Sequence, residues 1–315
     1  MNNKKDNYKI DSLNDTVTIQ NIVTELYNDE DFNIKPKKIK RRKFSFKKLF
    51  LFILIVICFT TFIFSTYKII KWKIDSNDIK KQVEDINDKV VIEEVKNTEN
   101  TEIIEQPEEE IIEEKYNPYK DYVQMNMINV DFSELKQVNS DVVGWIKVNG
   151  TNINYPYVQT TNNDYYLKRA FDKSYNEAGW VFLDYRNKNT SYDRNTIIYA
   201  HGRSDLTMFG SLRFILKNGW LNDTNNFVIK ISTETENTMW QIFSVYHIPV
   251  TSDYLQIDFY TDSEFKVFAN RLIDRSAYNF NTKVNETDNI LTLSTCYNES
   301  ERMVVHAKLI KREQK

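Results

Sequence analysis

Between Leu49 and Tyr67 the chain reads LFLFILIVICFTTFIFSTY, with no charged side chain. At 1.5 Å of helical rise per residue, such a run is close to the roughly 20 residues needed to cross a bilayer's hydrocarbon core. A helix inside a soluble core is seldom this long and apolar on every side. The N-terminal flank carries Lys35, Lys37, Lys38, Lys40, Arg41, Arg42, Lys43, Lys47 and Lys48 without an acidic residue, whereas the far flank has Lys68, Lys71 and Lys73. That asymmetry predicts a cytoplasmic N-terminus and an extracellular C-terminal region. No small-x-small cleavage site follows the run, so it reads as one uncleaved transmembrane anchor rather than a signal peptide.

The rest of the chain is organised around this anchor. Residues 1–48 form a polar cytoplasmic tail ending in the basic block, with a short helix predicted over Val17–Tyr27. Residues 68–115 form an acidic stalk: Ile74–Lys115 holds 15 Asp and Glu against 5 Lys. Ile79, Val83, Ile86 and Val90 recur at helical spacing and predict that the stalk begins as a helix. Beyond Pro107, Glu108–Glu114 reads as a solvated charge run rather than a calcium site. The net charge of −3 gives no basic excess to support nucleic-acid binding.

Residues 116–315 remain for a globular domain. Asp131–Val138 reads as a short helix behind an acidic cap, and VVGWIKV and TNINYPYVQ flank Asn149-Gly150, a strong hairpin signal. Pro156 within the second run predicts an edge or a bulge. Gly179–Tyr185, Asn195–His201, Asn226–Thr233, Thr238–Ile248, Asn289–Thr295 and the run from Arg302 all read as strands. Asp164–Arg169, Phe209–Lys217 and Asp262–Arg275 read as helical connections, the last with Phe265, Phe268, Leu272 and Ile273 along one side. Many short strands with helices only between them predict a mainly β fold, a closed or nearly closed barrel.

The chemistry concentrates in ILTLSTCYNESERMVVHAKLI, Ile290–Ile310. Cys296 ends its first strand and is the one cysteine outside the apolar run, since the other, Cys58, lies within it. A lone thiol in an oxidising compartment is either buried and inert or kept for its reactivity. Period-two alternation puts Thr292, Ser294 and Cys296 on one face, and Arg302, Val304, His306 and Lys308 on one face of the returning strand. His201 ends the strand NTIIYAH, and Gly202 after it would let the backbone turn at a barrel rim. A histidine raises a thiol's nucleophilicity or takes its proton, and an arginine stabilises the oxyanion formed when a carbonyl is attacked. Cys296, His201 and Arg302 would therefore suffice for acyl transfer through a thioester. His306 is a competing base, and His247 reads as structural. No cofactor is expected, and no ligand spacing supports a Cys–His–His zinc site.

These residues resemble the sortases, and within them class B. The signature T-L-x-T-C stands as Thr292-Leu293-Ser294-Thr295-Cys296, the following strand brings Arg302 in RMVVHAKL, and His201 lies in YAHG. The similarity extends through DVVGWIKVNGTNINYP, NDYYL, AGWVFLDYRN and MFGSL, over residues 131–310, and Asp262–Arg275 resembles the class B helix ahead of the cysteine strand. The resemblance implies an eight-stranded β-barrel and a cysteine transpeptidase on the outer face of a Gram-positive membrane. By it, Cys296 attacks the scissile carbonyl of a sorting signal near a surface protein's C-terminus. His201 serves as general acid and then base, Arg302 binds substrate and steadies the oxyanion, and Ser294 and Thr295 line the groove. The acceptor would be an amine of a peptidoglycan precursor. Asn298 stands where class B members often carry an acidic residue, so His201 has no assigned acidic partner. A surface cysteine peptidase or amidase delivering the acyl group to water, and a non-catalytic tethered domain, are the alternative readings.

Overall fold

The computed structural model describes residues 45–104, 119–296 and 300–315, with Cys296 described by its backbone. The tail helix expected over Val17–Tyr27, the charge run Glu108–Glu114 and most of the YNESE connection lie outside the described residues. The chain divides into two units, Met1–Thr61 and Phe62–Lys315.

In the first unit, the described residues from Phe46 on belong to helix α1 (Phe46–Lys89), whose apolar side chains there are exposed. Among the described residues α1 is the one helix long and apolar enough to cross a membrane. Within the second unit α1 changes character. Ile79 and Ile86 are buried in the main core, Val90 beyond the helix end joins them, and Val83 packs alongside. The 3–4 spacing read from the sequence is thus the face that meets the domain.

Eleven strands follow: β1 (Ile92–Val95), β2 (Thr101–Ile103), β3 (Met127–Val130), β4 (Val142–Val148), β5 (Asn154–Val158), β6 (Phe182–Leu183), β7 (Asn195–Tyr199), β8 (Val228–Ser232), β9 (Glu236–Pro249), β10 (Ile290–Cys296) and β11 (Glu301–Gln314). Eight of them close on themselves in the order β4-β5-β6-β7-β10-β11-β9-β8, with β8 returning to β4. The barrel is mixed, since β5–β6 and β7–β10 are parallel while the other pairs are antiparallel. Closure leaves no free edge in the ring. Outside it, β2 pairs with the far end of β11, and β1 pairs with β3.

The hairpin β4–β5 turns at Gly150, whose φ of +67° is the left-handed conformation that Asn-Gly turns require. Pro156 sits opposite Trp145 inside the ring, yet without losing a ladder bond: β6 is so short that it reaches only Val158 of β5. GWVFLDY contributes only these two strand residues because its ends are spent on side-chain contacts. Trp180 Nε1 donates to Pro156 O (2.8 Å), and Asp184 is buried under bonds from Arg186, Asn163 and Tyr199.

Two cores result. Leu291, Leu293, Met303, Val305, Ala307 and Leu309 alternate into the barrel. Ile290 and Val304 point the other way, into a second cluster with Phe243, Tyr246, Tyr254, Phe265, Phe268 and Leu272. That cluster lies beneath the β9–β10 connection and its helix (Asp262–Asp274), which starts at Thr261, whose hydroxyl accepts from Glu264 N–H (3.1 Å).

Candidate active site

Three strands bring the candidate residues together through backbone pairing. On one side of β10, Cys296 is directly opposite Arg302 of β11. Residues facing each other across an antiparallel pair have Cα atoms about 4.5–5.5 Å apart and side chains on the same face. On the other side, β7 runs parallel with Ser294 beside Tyr199, and Ala200 N–H still donates to Ser294 O (3.4 Å). Continued two residues, that register brings His201 level with Cys296. Arg302 thus faces Cys296 across one side of β10, and the β7 register, extended past its last pair, directs His201 toward the other side, from residues far apart in sequence.

His201 is half-buried, and its Nε2 lies 2.8 Å from Leu167 O. A carbonyl only accepts, so Nε2 carries the proton of the neutral ring and Nδ1 keeps its lone pair. A backbone carbonyl therefore orients this ring, the task for which the sequence offered no acidic residue. Gly179 lets the second wall come close: its φ is +63°, and a Cβ there would lie 2.6 Å from Tyr166 O and 3.0 Å from His201 Cδ2. Gly202, expected to supply the turn, does not have a positive φ and instead bridges to Met208. The left-handed residues of that loop are Leu206 (φ 66°) and Met208 (φ 54°).

Arg302 is half-buried and donates to Glu301 O (3.3 Å). Ser294 is buried beneath Tyr254, with 2.9 Å between the two hydroxyl oxygens. Thr295 falls on the opposite face, opposite Met303 and toward the barrel interior, with its Oγ1 buried and unpartnered among the described residues.

His306 does not join this group. It pairs with Thr292, four residues along β10 from Cys296, or about 13 Å at strand rise. Its Nδ1 lies 2.9 Å from Thr292 Oγ1 and its Nε2 2.9 Å from Tyr246 OH. Thr292 spends its hydroxyl proton on Asn195 Oδ1 (2.6 Å), so Nδ1 of His306 must be the donor and Nε2 the acceptor. Burial, with Arg275 as a lesser cause, pushes its pKa down to about 3, so this ring stays neutral. At His306 the face that alternation assigns to Arg302, Val304, His306 and Lys308 is therefore a covered one. Lys308 on the same face is also buried, bonded to Asp288 (3.1 Å) and Lys283 O (2.9 Å). His247 is exposed on β9, its pKa lowered chiefly by desolvation.

The sortase domain family matches residues 146–310. Sortase B of Staphylococcus aureus (strain NCTC 8325 / PS 47) is 35% identical over 188 residues, covering 58% of this chain and 76% of the relative. Sortase B from B. anthracis in complex with AAEK2 superposes with a TM-score of 0.54 at 40% identity, over 58% of this chain and 83% of that one. The Staphylococcus aureus sortase B–substrate complex gives a TM-score of 0.54 at 35% identity, over 57% and 84%. A thiol-bearing strand end on a closed eight-stranded barrel, in a chain this similar to sortase B over most of the relatives' length, has one family to which it belongs: the chain is a sortase, a cysteine transpeptidase of the sortase B kind.

Proposed function

We propose that this sortase is held in a Gram-positive cell membrane by the apolar part of α1, N-terminus inside and barrel outside, and that it attaches surface proteins to the cell wall. The residues divided as 1–48, 49–67, 68–115 and 116–315 would then be tail, anchor, stalk and catalytic domain. The substrate is a surface protein with a C-terminal sorting signal. Cys296 sulfur attacks the scissile carbonyl carbon, forming the C–S bond of a thioester as the C–N bond breaks. His201 takes the Cys296 thiol proton on Nδ1 and delivers it to the departing amine. An amine of a peptidoglycan precursor then attacks the thioester, His201 takes its proton, and the cysteine sulfur leaves. Arg302, opposite Cys296, stabilises the oxyanion and binds substrate. Ser294, buried beneath Tyr254, and Thr295, turned to the barrel interior, support the groove from below rather than line it with their side chains.

The observation that carries this reading is the pairing of Cys296 with Arg302 in the antiparallel register, beside a parallel β7 whose last pair, Tyr199 with Ser294, stands two residues short of both His201 and Cys296. The test uses the full chain in detergent micelles with peptides bearing candidate sorting signals. Product should shift from hydrolysed peptide to the amine-ligated form as an amine acceptor is added. Cleavage indifferent to every amine would instead mark a peptidase that gives the acyl group to water.

A further inference from the structure

Two loops hold the His201 ring: Leu167–Gly179, which supplies the Leu167 carbonyl and the close approach of Gly179, and His201–Phe209, which carries the histidine and closes with Phe209 N–H on His201 O (3.1 Å). The second loop stores strain, because Leu206 and Met208 are bulky residues in the left-handed region. Such residues persist only where their surroundings over-determine them. Here the surroundings centre on Asp205. Its carboxylate accepts from Arg203 Nη2 (3.1 Å), Thr207 Oγ1 (2.6 Å), Thr207 N–H (3.2 Å) and, from outside the loop, Ser76 Oγ of α1.

Helix α1 touches the loop a second time and reaches its partner as well. The Arg203 guanidinium lies over the Trp72 ring, 5.5 Å from its centroid. Asn176 Nδ2 donates to Asp75 O (3.1 Å), while Gly179 N–H donates to Asn176 O (3.1 Å), so α1 is tied to the turn that presses on the His201 ring. The Arg203–Asp205 pair is buried, with side chains 7% and 6% exposed. Burial alone would raise the Asp205 pKa, but bonds from Arg203, Ser76 and Thr207 outweigh it and hold the carboxyl well below the usual range. By contrast, Lys71–Glu177 is a solvent-exposed pair and adds little.

We infer that Trp72 and Ser76 of α1, acting through Arg203 and Asp205, are positioning residues for His201, so that the helix leaving the membrane anchor is a working part of the active site. The inference rests on the proposed role of His201 and extends it to residues ahead of the sortase domain match. Trp72 is less than two helical turns beyond Tyr67, the end of the apolar run. The buried Ser76–Asp205 contact is made by the helix itself, which a loose tether would not provide.

The test compares full-length wild type, Ser76→Ala, Ser76→Thr and Trp72→Ala in detergent micelles by two readouts. One is kcat and KM for transpeptidation. The other is the ring N–H resonance of His201 with His306 as internal control, which needs no substrate. Misplacing a catalytic group by about 1 Å costs as much as a hundredfold. Ser76→Ala and Trp72→Ala should therefore lower kcat about tenfold or more with KM little changed, shift or broaden the His201 signal, and leave that of His306 in place, with Ser76→Thr restoring both readouts. An unchanged His201 resonance in both Ser76→Ala and Trp72→Ala overturns the inference, as does a loss that Ser76→Thr fails to restore. Absence of transpeptidation in the wild type would sink the proposed function, while the resonance would still decide whether α1 holds the ring.

Discussion

The outer face of the β10–β11 pair carries a histidine environment at each end, and the two are built in opposite ways. At one end, His306 is enclosed: both ring nitrogens are satisfied, Phe243 stacks on it, and burial holds it neutral. At the other, His201 is half-buried and held through Nε2 by a backbone carbonyl. The partners impose opposite tautomers, Nδ1–H on His306 and Nε2–H on His201. A ring with both nitrogens committed inside a packed core has no route for a proton to substrate. One anchored on a single edge at a strand end keeps a nitrogen for that work. One histidine is thus enclosed under the helical connection, and the other, beyond the end of β7, keeps one ring nitrogen uncommitted to its carbonyl anchor, as the proposed chemistry requires.

The largest effect that could break this contrast is on turnover. His201→Ala and Cys296→Ala should each lower kcat by at least about a thousandfold, as loss of a nucleophile or its base does. His306→Gln, assayed well below its melting temperature, should stay within about threefold of wild type. A His306→Gln loss as deep as that of His201→Ala would erase the distinction. Next is stability at the covered end. Asp288→Ala strands the buried Lys308 ammonium and should cost about 3 kcal/mol by thermal unfolding in detergent.

The titration of His306 is a smaller effect. Its folded pKa near 3 lies below the ordinary 6.5, so between those values the unfolded chain binds more protons than the folded one. Stability from this group is fully present above pH 6.5 and falls as the pH drops toward 3, by at most about 1.4 kcal/mol per pH unit. A His306→Gln variant should show a shallower fall over that window, and parallel curves for the two proteins would count against an enclosed neutral ring. Smallest is Tyr246→Phe, which removes the donor to His306 Nε2 and should cost about 1 kcal/mol with turnover intact.

Much of this was legible in the residues. The alternation around Cys296 put Arg302 on the correct face, Asn149-Gly150 marked the β4–β5 hairpin, and the apolar side of Asp262–Asp274 is the side buried. Alternation tells which side chains share a face, though not what covers it, so the burial of His306 and Lys308 beneath a distant connection left no local trace. The nearness of His201 to Cys296 depends on parallel pairing between strands 95 positions apart, Asn195 with Ile290, which no local period encodes. A backbone carbonyl such as Leu167 O has no residue signature at all. β11 runs on through Lys311, Arg312 and Glu313, whose charges give no sign in the sequence of how they are held. In the fold Lys311 is ringed by the carbonyls of Val123 and Met125 and the Asn97 side chain, and Arg312 pairs with Glu236 (2.6 Å). Thr261-x-x-Glu264 is a capping pattern that places the start of its helix.

The central claim is that Cys296, between His201 and Arg302, is the residue that becomes acylated. It is tested most directly by peptide mapping of the covalent adduct trapped when the full chain meets a sorting-signal peptide in the absence of amine. The account predicts an acyl group on Cys296 in wild type and a strongly reduced adduct in His201→Ala. An adduct at Cys58, or one that accumulates on Cys296 equally fast without His201, would contradict it.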